Sequence, residues 1–314
     1  MMGWRLGQLG GFARVGPRAP LVALIAANVP DLDVLLYAVD RNLGTWQHRG
    51  FTHSFFGIPL LAIGGAVLSH RRLRTGRFGD HLGLWAAALL SHVLMDWPTT
   101  WGTQLFWPLS DHRFGLEWIF IVDPAFWLLL GLLPLLLRRR GWTVGPAAGA
   151  GILCLGGWIL SAGMLKEVAV ARAPEPVAAY PAVGAPFAWT GVTPAVRTDP
   201  DVRRYWLTVL HAQRAGTFGR PAGPLVEAVL HDRVGERDLW MMVAPVECRE
   251  CEDGTDSMLT LVDLAYTNWA YPAGFRFGHT YRVGEGGKVE FRSGVVALGG
   301  KVEGARSSLH PAGR

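Results

Sequence analysis

Long apolar segments separated by short polar ones fill the first half of the chain. They lie at residues 20–39, 55–68, 82–97, 118–137 and 143–165. Most of them approach the ~20 residues that a helix needs to cross the hydrocarbon core of a bilayer. The pattern predicts about five membrane-spanning helices. The first contains Pro30, Asp31 and Asp33, and such a break at membrane depth is tolerated only where protein or a water-filled cavity satisfies the backbone.

A different pattern follows residue 166. Residues 167–186 are rich in Ala and Pro and are predicted to form a linker. Beyond them, short runs of β-branched and aromatic residues are bounded by Gly, Pro and Asp, as in an antiparallel sheet. The predicted strands are 187–197, 204–211, 239–244, 258–266 and 279–283, with a short helix at 224–234. We therefore expect a polytopic α-helical transmembrane domain over 1–166, a linker, and a small β-rich domain over 187–314 with a flexible C-terminal tail.

Composition and arginine placement predict a membrane-embedded protein and its orientation. Half of the residues are hydrophobic and 18% are charged, which is too apolar for an ordinary soluble domain. Loops on one side of the predicted bundle contain Arg5, Arg14, Arg18, Arg71, Arg72, Arg74, Arg77, Arg138, Arg139 and Arg140, and those on the other side contain Arg41, Arg49 and Arg113. This asymmetry predicts a cytoplasmic N-terminus and an exoplasmic β-rich domain. It also accounts for the net charge of +5 without a nucleic-acid partner.

The three cysteines are too few for a disulfide framework. Cys154 lies inside an apolar segment, whereas Cys248 and Cys251 form a CxxC pair. One such pair does not complete a structural zinc site. We therefore expect a local disulfide or free thiols there.

Ionisable residues of the apolar half gather at the predicted exoplasmic end of the bundle. They are Asp31, Asp33, His48, His53, His92 and Asp96. Each pair has a simpler explanation alone: a capping turn after Pro30, an interfacial histidine, or a His–Asp hydrogen bond between helices. His92 and Asp96, four residues apart, share a helix face. Because charged groups at this depth are costly unless they are paired or metal-bound, the six together predict a metal site.

The side-chain types narrow the metal and the chemistry. Imidazole and carboxylate ligands without thiolate fit a divalent ion, with zinc favoured and manganese or iron as alternatives. Six ligands exceed the four of one tetrahedral zinc site, so one or two ions are predicted. Asp123 and Glu117 are the candidate catalytic residues, acting as a base or orienting water, and Asp111 is a further carboxylate in reserve.

The ordered motifs of the first half resemble those of the YdjM-like family of inner-membrane proteins, described as metal-dependent hydrolases. They are Pro30-Asp31-Leu32-Asp33, His48-Arg49-Gly50-Phe51-Thr52-His53-Ser54, Ser91-His92 with Asp96, and Ser110-Asp111 through Trp118-Ile119-Phe120-Ile121-Val122-Asp123-Pro124. The resemblance implies a multi-pass bacterial inner-membrane protein with a metal site at the six positions. The chain departs from the family pattern in one place. Members open with a Thr-His pair before a Gly-containing helix, whereas this sequence begins Met1-Met2-Gly3-Trp4 and has no His before His48.

These features predict a membrane-bound metal-dependent hydrolase acting on a phosphoester, ester or amide bond at the exoplasmic membrane interface. The depth of the site makes membrane lipids the expected partners and favours a lipid or lipid-linked substrate. One alternative is a non-catalytic protein in which a metal stabilises the bundle while the β-domain binds a partner. Another is a transporter or metal channel. It would need polar groups continuing towards the cytoplasmic end, and the second and fifth apolar segments offer almost none.

Overall fold

The structure is a computed structural model. It describes residues 1–39, 44, 47–182, 185–193, 202–218, 224–231, 245–247, 258–263, 276–283 and 289–296. The chain divides into two compact units, Met1–Gly163 and Met164–Arg314. In the described residues the first unit is helical, and the second consists mainly of antiparallel sheet.

Helices account for most of the first unit. In chain order they are α1 Met2–Gly7, α2 Ala19–Ala26, α3 Leu36–Val39, α4 Gly57–Leu73, α5 Phe78–Asp96, α6 Pro124–Trp127, α7 Leu133–Arg139 and α8 Val144–Val170. A π-helical turn, Leu128–Leu132, joins α6 to α7. The described residues of the unit also contain three short 3-10 segments, Gly10–Val15, Pro30–Leu35 and Phe51–His53.

The first apolar segment is broken where the sequence predicts a break. α2 ends at Ala26, and the 3-10 segment begins at Pro30. Proline has no amide hydrogen to donate within a helix but is tolerated in a first turn, so Pro30 begins a new element. This arrangement brings Asp31 and Asp33 into the short segment that follows the break.

α4 and α5 form a tightly packed helical hairpin. α4 ends at Leu73, and the left-handed φ of 54° at its C-cap, Arg74, stops the helix. α5 begins where the Asp80 carboxylate accepts a hydrogen bond from the Arg77 amide at 2.7 Å. A Cβ atom on Gly65 would lie 2.3 Å from the Trp85 ring, so this glycine allows the helices their close approach.

The fourth predicted span differs from the observed helix at its start. The sequence predicts a helix from residue 118, but α6 begins at Pro124. Asp123 is its N-cap, and the Asp123 Oδ1 atom accepts a hydrogen bond from the Ala125 amide at 2.8 Å. The amides of Trp118 and Ile119 instead donate to the Pro98 carbonyl. Within this non-helical stretch Ile119 is buried, whereas Ile121 and Val122 are exposed.

Large apolar side chains cover much of the surface of the helical unit. Exposed examples are Leu60, Leu68, Leu94, Trp127, Leu128, Leu153 and Leu160. Among the described helices, α8 alone is long and apolar enough to cross a membrane. The structure therefore contains one candidate span, and the predicted number of five is not confirmed.

Two four-stranded antiparallel meanders make up most of the described second unit. The first contains β1 Ala178–Pro181, β2 Ala188–Val192, β3 Val202–Thr208 and β4 Ala212–Phe218, and the second contains β5 Pro245–Glu247, β6 Met258–Asp263, β7 Arg276–Val283 and β8 Val289–Val296. A short helix, α9 Pro224–His231, lies between them in sequence.

This unit departs from the prediction in several elements. The predicted linker, 167–186, contains the end of α8 and all of β1, in which Tyr180 is buried and pairs with Thr190. β4 and β8 were not predicted, because their Gly, Arg and Gln or Glu residues hide the strand pattern that pairing with β3 and β7 provides. The predicted strand 239–244, Cys248, Cys251 and the C-terminal tail lie outside the described residues.

Candidate metal site

Four ionisable side chains of the helical unit converge on one point. They belong to Asp31, His53, His92 and Asp96, and one ligand atom from each lies within 4.8 Å of the other three. Three separate segments supply them. Asp31 comes from the 3-10 segment after Pro30, His53 from the one before α4, and His92 and Asp96 from the last turns of α5.

The chain folds tightly to bring His53 to this point. The Ser54 hydroxyl donates to the Phe51 carbonyl and accepts from the Gly57 amide, which closes the turn into α4. A Cβ on Gly57 would lie 1.9 Å from the Phe51 carbonyl oxygen, so a larger residue does not fit. His53 is consequently fully buried.

The separations within the four-residue group are close to those of a metal cage. The Nε2 atoms of His53 and His92 are 3.0 Å apart, and the Oδ2 atom of Asp96 is 3.3 Å and 3.4 Å from them. The Oδ1 atom of Asp31 is 3.7 Å from His53 Nε2 and 3.4 Å from His92 Nε2. Four atoms arranged tetrahedrally around zinc lie about 3.3–3.6 Å apart, as follows from metal–ligand distances of about 2.0–2.2 Å.

A hydrogen-bond relay sets the orientation of the His53 ring. The Nδ1 atom of His53 is 2.9 Å from the Thr52 hydroxyl, which donates to Asp33 Oδ2 at 3.0 Å. Because the hydroxyl has one hydrogen and gives it to the carboxylate, it accepts from His53 Nδ1. His53 Nε2 then carries the lone pair that faces the other three ligand atoms.

Asp33 and His48 pair with each other beside the four-residue group. The Nδ1 atom of His48 is 2.8 Å from Asp33 Oδ1, and Asp33 Oδ2 accepts from the Arg49 amide at 2.9 Å. The carbonyl of His48 accepts a hydrogen bond from Arg113 at 2.9 Å. Of the six residues predicted as ligands, the structure thus brings four together, and the other two pair with each other.

Arg49 is a part of the site that sequence reasoning missed. It is 1% exposed, and its guanidinium lies 3.0 Å from Asp96 Oδ1 and donates to the Thr99 hydroxyl at 2.9 Å. The sequence analysis treated Arg49 only as a loop charge that reports topology, and the structure adds its contact with Asp96. The sequence signal for the role of Arg49 in the site was its position between His48 and Gly50. The sequence does not predict its left-handed φ of 61°.

One buried oxygen of the site lacks a hydrogen bond. Asp96 Oδ2 is buried and has no hydrogen-bond partner among the described residues. An unpaired buried carboxylate oxygen is costly, and this one points at two imidazole nitrogens that themselves face each other. A cation at that point would satisfy all three atoms, so these residues fit a metal ion.

The carboxylates predicted to be catalytic lie outside the four-residue group. Besides capping α6, Asp123 accepts a hydrogen bond at Oδ2 from the Trp158 indole at 3.3 Å. Glu117 is half-buried with a left-handed φ of 57°, and Asp111 is exposed. The contacts of Asp123 are those of a helix cap.

Comparisons with known proteins bear on the helical unit. Residues 1–168 match the model of a family described as YdjM inner membrane protein. A Bacillus subtilis (strain 168) protein described as uncharacterized protein YfhP is 29% identical over 133 residues, which cover 38% of this chain and 40% of that protein. The matched part is thus less than half of that relative's length. No solved structure matches the chain.

Proposed function

The chain belongs to the YdjM inner membrane protein family, and on that basis we propose that it is a membrane-bound hydrolase that uses one divalent metal ion. Asp31, His53, His92 and Asp96 are the proposed ligands. The observation that carries the proposal is the convergence of their four ligand atoms within 4.8 Å of one another. Zinc is the first candidate, with manganese and iron as alternatives for the same ligand types.

Charge balance supports a cation at this site. Asp31, Asp33 and Asp96 bring three carboxylates together, and Arg49 contributes one guanidinium in direct contact. With neutral imidazoles, two negative charges remain, which a divalent ion offsets. One ion accounts for the group better than two, because Asp33 and His48 already bind each other.

The ligand types and their exposure favour catalysis over a purely structural role. Structural zinc sites are closed and rich in cysteine, whereas catalytic sites use His and carboxylate and keep a position open. The group contains no thiolate. The Asp31 side chain is 47% exposed, so the site is open on that side, whereas the other ligand side chains are at most 13% exposed.

The proposed roles of the residues follow from their contacts. Thr52 and Asp33 orient His53, and Arg49 positions Asp96. The exposed side at Asp31 admits the substrate. When bound, a divalent metal would supply the acidity that makes water a nucleophile at neutral pH. A phosphoester, ester or amide bond is the proposed target.

The proposal includes a multi-pass topology with an exoplasmic site. The exposed leucines of α4 and α5 support contact of these helices with lipid. Of the arginines assigned to the exoplasmic loops, Arg49 and Arg113 bind within the site. The excess of arginine in the opposite loops supports a cytoplasmic N-terminus.

One observation favours the non-catalytic alternative, in which the metal stabilises the bundle. Four protein ligands can close the coordination sphere of zinc. Closure would leave no position for water. The exposure of Asp31 argues against it, and turnover decides between the two functions.

The test is hydrolysis by purified, metal-loaded protein. Labelled phospholipids and lipid-linked phosphates are incubated with the protein with and without chelator, and with Asp96→Asn and the exposed-site control His112→Ala. We expect cleavage that chelator abolishes, that added metal restores and that His112→Ala retains. Absence of cleavage of any such substrate by protein that demonstrably holds its metal would establish the non-catalytic alternative.

A further inference from the structure

An apolar cavity of about 380 Å³ lies between α4 and α5. Ile58, Pro59, Ala62 and Ile63 line it from α4, and residues from Leu82 to Val93 line it from α5. All of its lining residues are described, and among them His53 is the one polar residue. Pockets of this size are large enough to bind small ligands, which typically occupy about 300–1,000 Å³.

The cavity is a groove of defined length that ends at the candidate metal site. Its α5 wall runs from Leu82 to Val93, eleven residue steps or about 16 Å of helix. That length is about half of the ~30 Å hydrocarbon core, or one leaflet. Val93 is next to His92 in the sequence. His53 belongs to both the groove and the metal site, because its ring borders the groove and its Nε2 atom faces the other ligand atoms.

The groove is open along its side. Ile63 and Leu90 line it and are 49% and 46% exposed, so they form an outer rim. Ala62, on the inner side, is buried. A hydrocarbon chain can therefore enter sideways from a surrounding bilayer without crossing a polar surface.

We propose that this groove binds one acyl chain of a membrane phospholipid whose headgroup lies at Asp31, His53, His92 and Asp96. The inference rests on the proposed function, because it makes that phospholipid the substrate class of the same site. The groove offers a chain no hydrogen bond except at its His53 end, which matches a molecule that is apolar along one leaflet and polar at the interface. The exposed side of Asp31 leaves room for the headgroup.

Selective binding of the lipid must come from contacts of its headgroup and from packing of its acyl chain in the groove. Lipid tails are as apolar as leucine side chains, so a chain gains little hydrophobic free energy by moving from the bilayer into the groove. Filling the groove with a side chain should therefore remove binding without affecting the metal. Ala86 lines the groove and is half-buried, whereas the neighbouring half-buried Ala87 does not line it.

The experiment is photolabelling in nanodiscs with phosphatidylglycerol that carries a diazirine midway along one acyl chain. In the metal-loaded protein, labels should concentrate on the α4 and α5 segments that line the groove, relative to Leu153 of α8, which is 77% exposed. Ala86→Phe should lower groove labelling by about tenfold, because the phenyl ring occupies the space of the acyl chain. Ala87→Phe, the matched control, should leave it unchanged.

Equal labelling of the groove and of Leu153, or unchanged labelling in Ala86→Phe that retains its metal, would overturn the proposal. Leu90→Trp at the rim provides a second variant if Ala86→Phe does not fold. Turnover is measured separately on a short-chain, water-soluble phospholipid. Cleavage of that substrate without groove labelling refutes the acyl-chain site alone, whereas groove labelling without cleavage of any phospholipid refutes the hydrolase.

Discussion

Replacing Arg49 should reveal how much the site depends on one buried guanidinium. In Arg49→Met, the Asp96 carboxylate loses its partner at 3.0 Å and the Thr99 hydroxyl loses a donor at 2.9 Å. Removing one member of a buried ion pair costs about 3–5 kcal/mol of unfolding free energy. We expect the lower end, about 3 kcal/mol, because the Asp96 side chain is 11% exposed.

The expected change is measurable by thermal unfolding in detergent. For a unit of about this size, 1 kcal/mol corresponds to ~2–4 °C in Tm, so metal-free Arg49→Met should melt about 6–12 °C below wild type. Metal affinity should also fall about 10–100-fold, as is typical when a residue that supports a ligand is lost. Saturating metal should recover part of the Tm, because a cation at Asp96 offsets the carboxylate charge.

Two matched variants test whether burial and geometry cause the loss of stability in Arg49→Met. Arg14 is also paired with a carboxylate, Asp80, but at 4.0 Å and with a side chain that is 79% exposed. Arg14→Met should therefore change stability by about 0–1 kcal/mol. Arg49→Lys keeps the charge but not the two-pronged geometry, so it should fall between wild type and Arg49→Met. Equal Tm values for Arg49→Met and Arg14→Met would refute the reasoning.

Three further predictions concern Asp33, the cap and the topology. Asp33→Asn should weaken metal binding about 10–100-fold without abolishing it, measured by competition with a chelating dye, because Asp33 orients His53 without belonging to the four-residue group. Asp123→Ala should lower unfolding free energy by about 0.5–2 kcal/mol through loss of the helix cap and leave metal content unchanged; loss of metal there would show that Asp123 is a ligand. A reporter that is active only in the periplasm should be active when fused after Arg314 and silent when inserted at Thr75, and the reverse pattern would put the site in the cytoplasm.

Short-range patterns accounted for the parts of the fold that could be predicted. The pairing of His92 with Asp96 follows from helical spacing alone, and the break at Pro30 follows from the missing amide hydrogen. The start of α6 could also have been predicted from the sequence, because Asp123 before Pro124 is a typical N-cap signal. The longer apolar run from residue 118 nevertheless outweighed it in the sequence analysis.

The division of the six predicted ligands depended on geometry that no spacing rule supplies. Asp31 and Asp33 differ by two positions in a 3-10 turn, and this turn directs one towards His92 and the other towards His48. The burial of Arg49 depends on its left-handed backbone, which is uncommon for a residue with a long side chain. In the second unit, β4 and β8 are strands because of their neighbours, and their composition alone does not predict them.

Metal content is the most direct test of the central claim, that Asp31, His53, His92 and Asp96 hold a divalent ion. Elemental analysis of purified wild-type protein should find roughly one equivalent of zinc, manganese or iron. His53→Ala and Asp96→Ala should each lose most of it, whereas the exposed control His112→Ala should retain it. Unchanged metal content in both His53→Ala and Asp96→Ala, in protein that remains folded, would contradict the account.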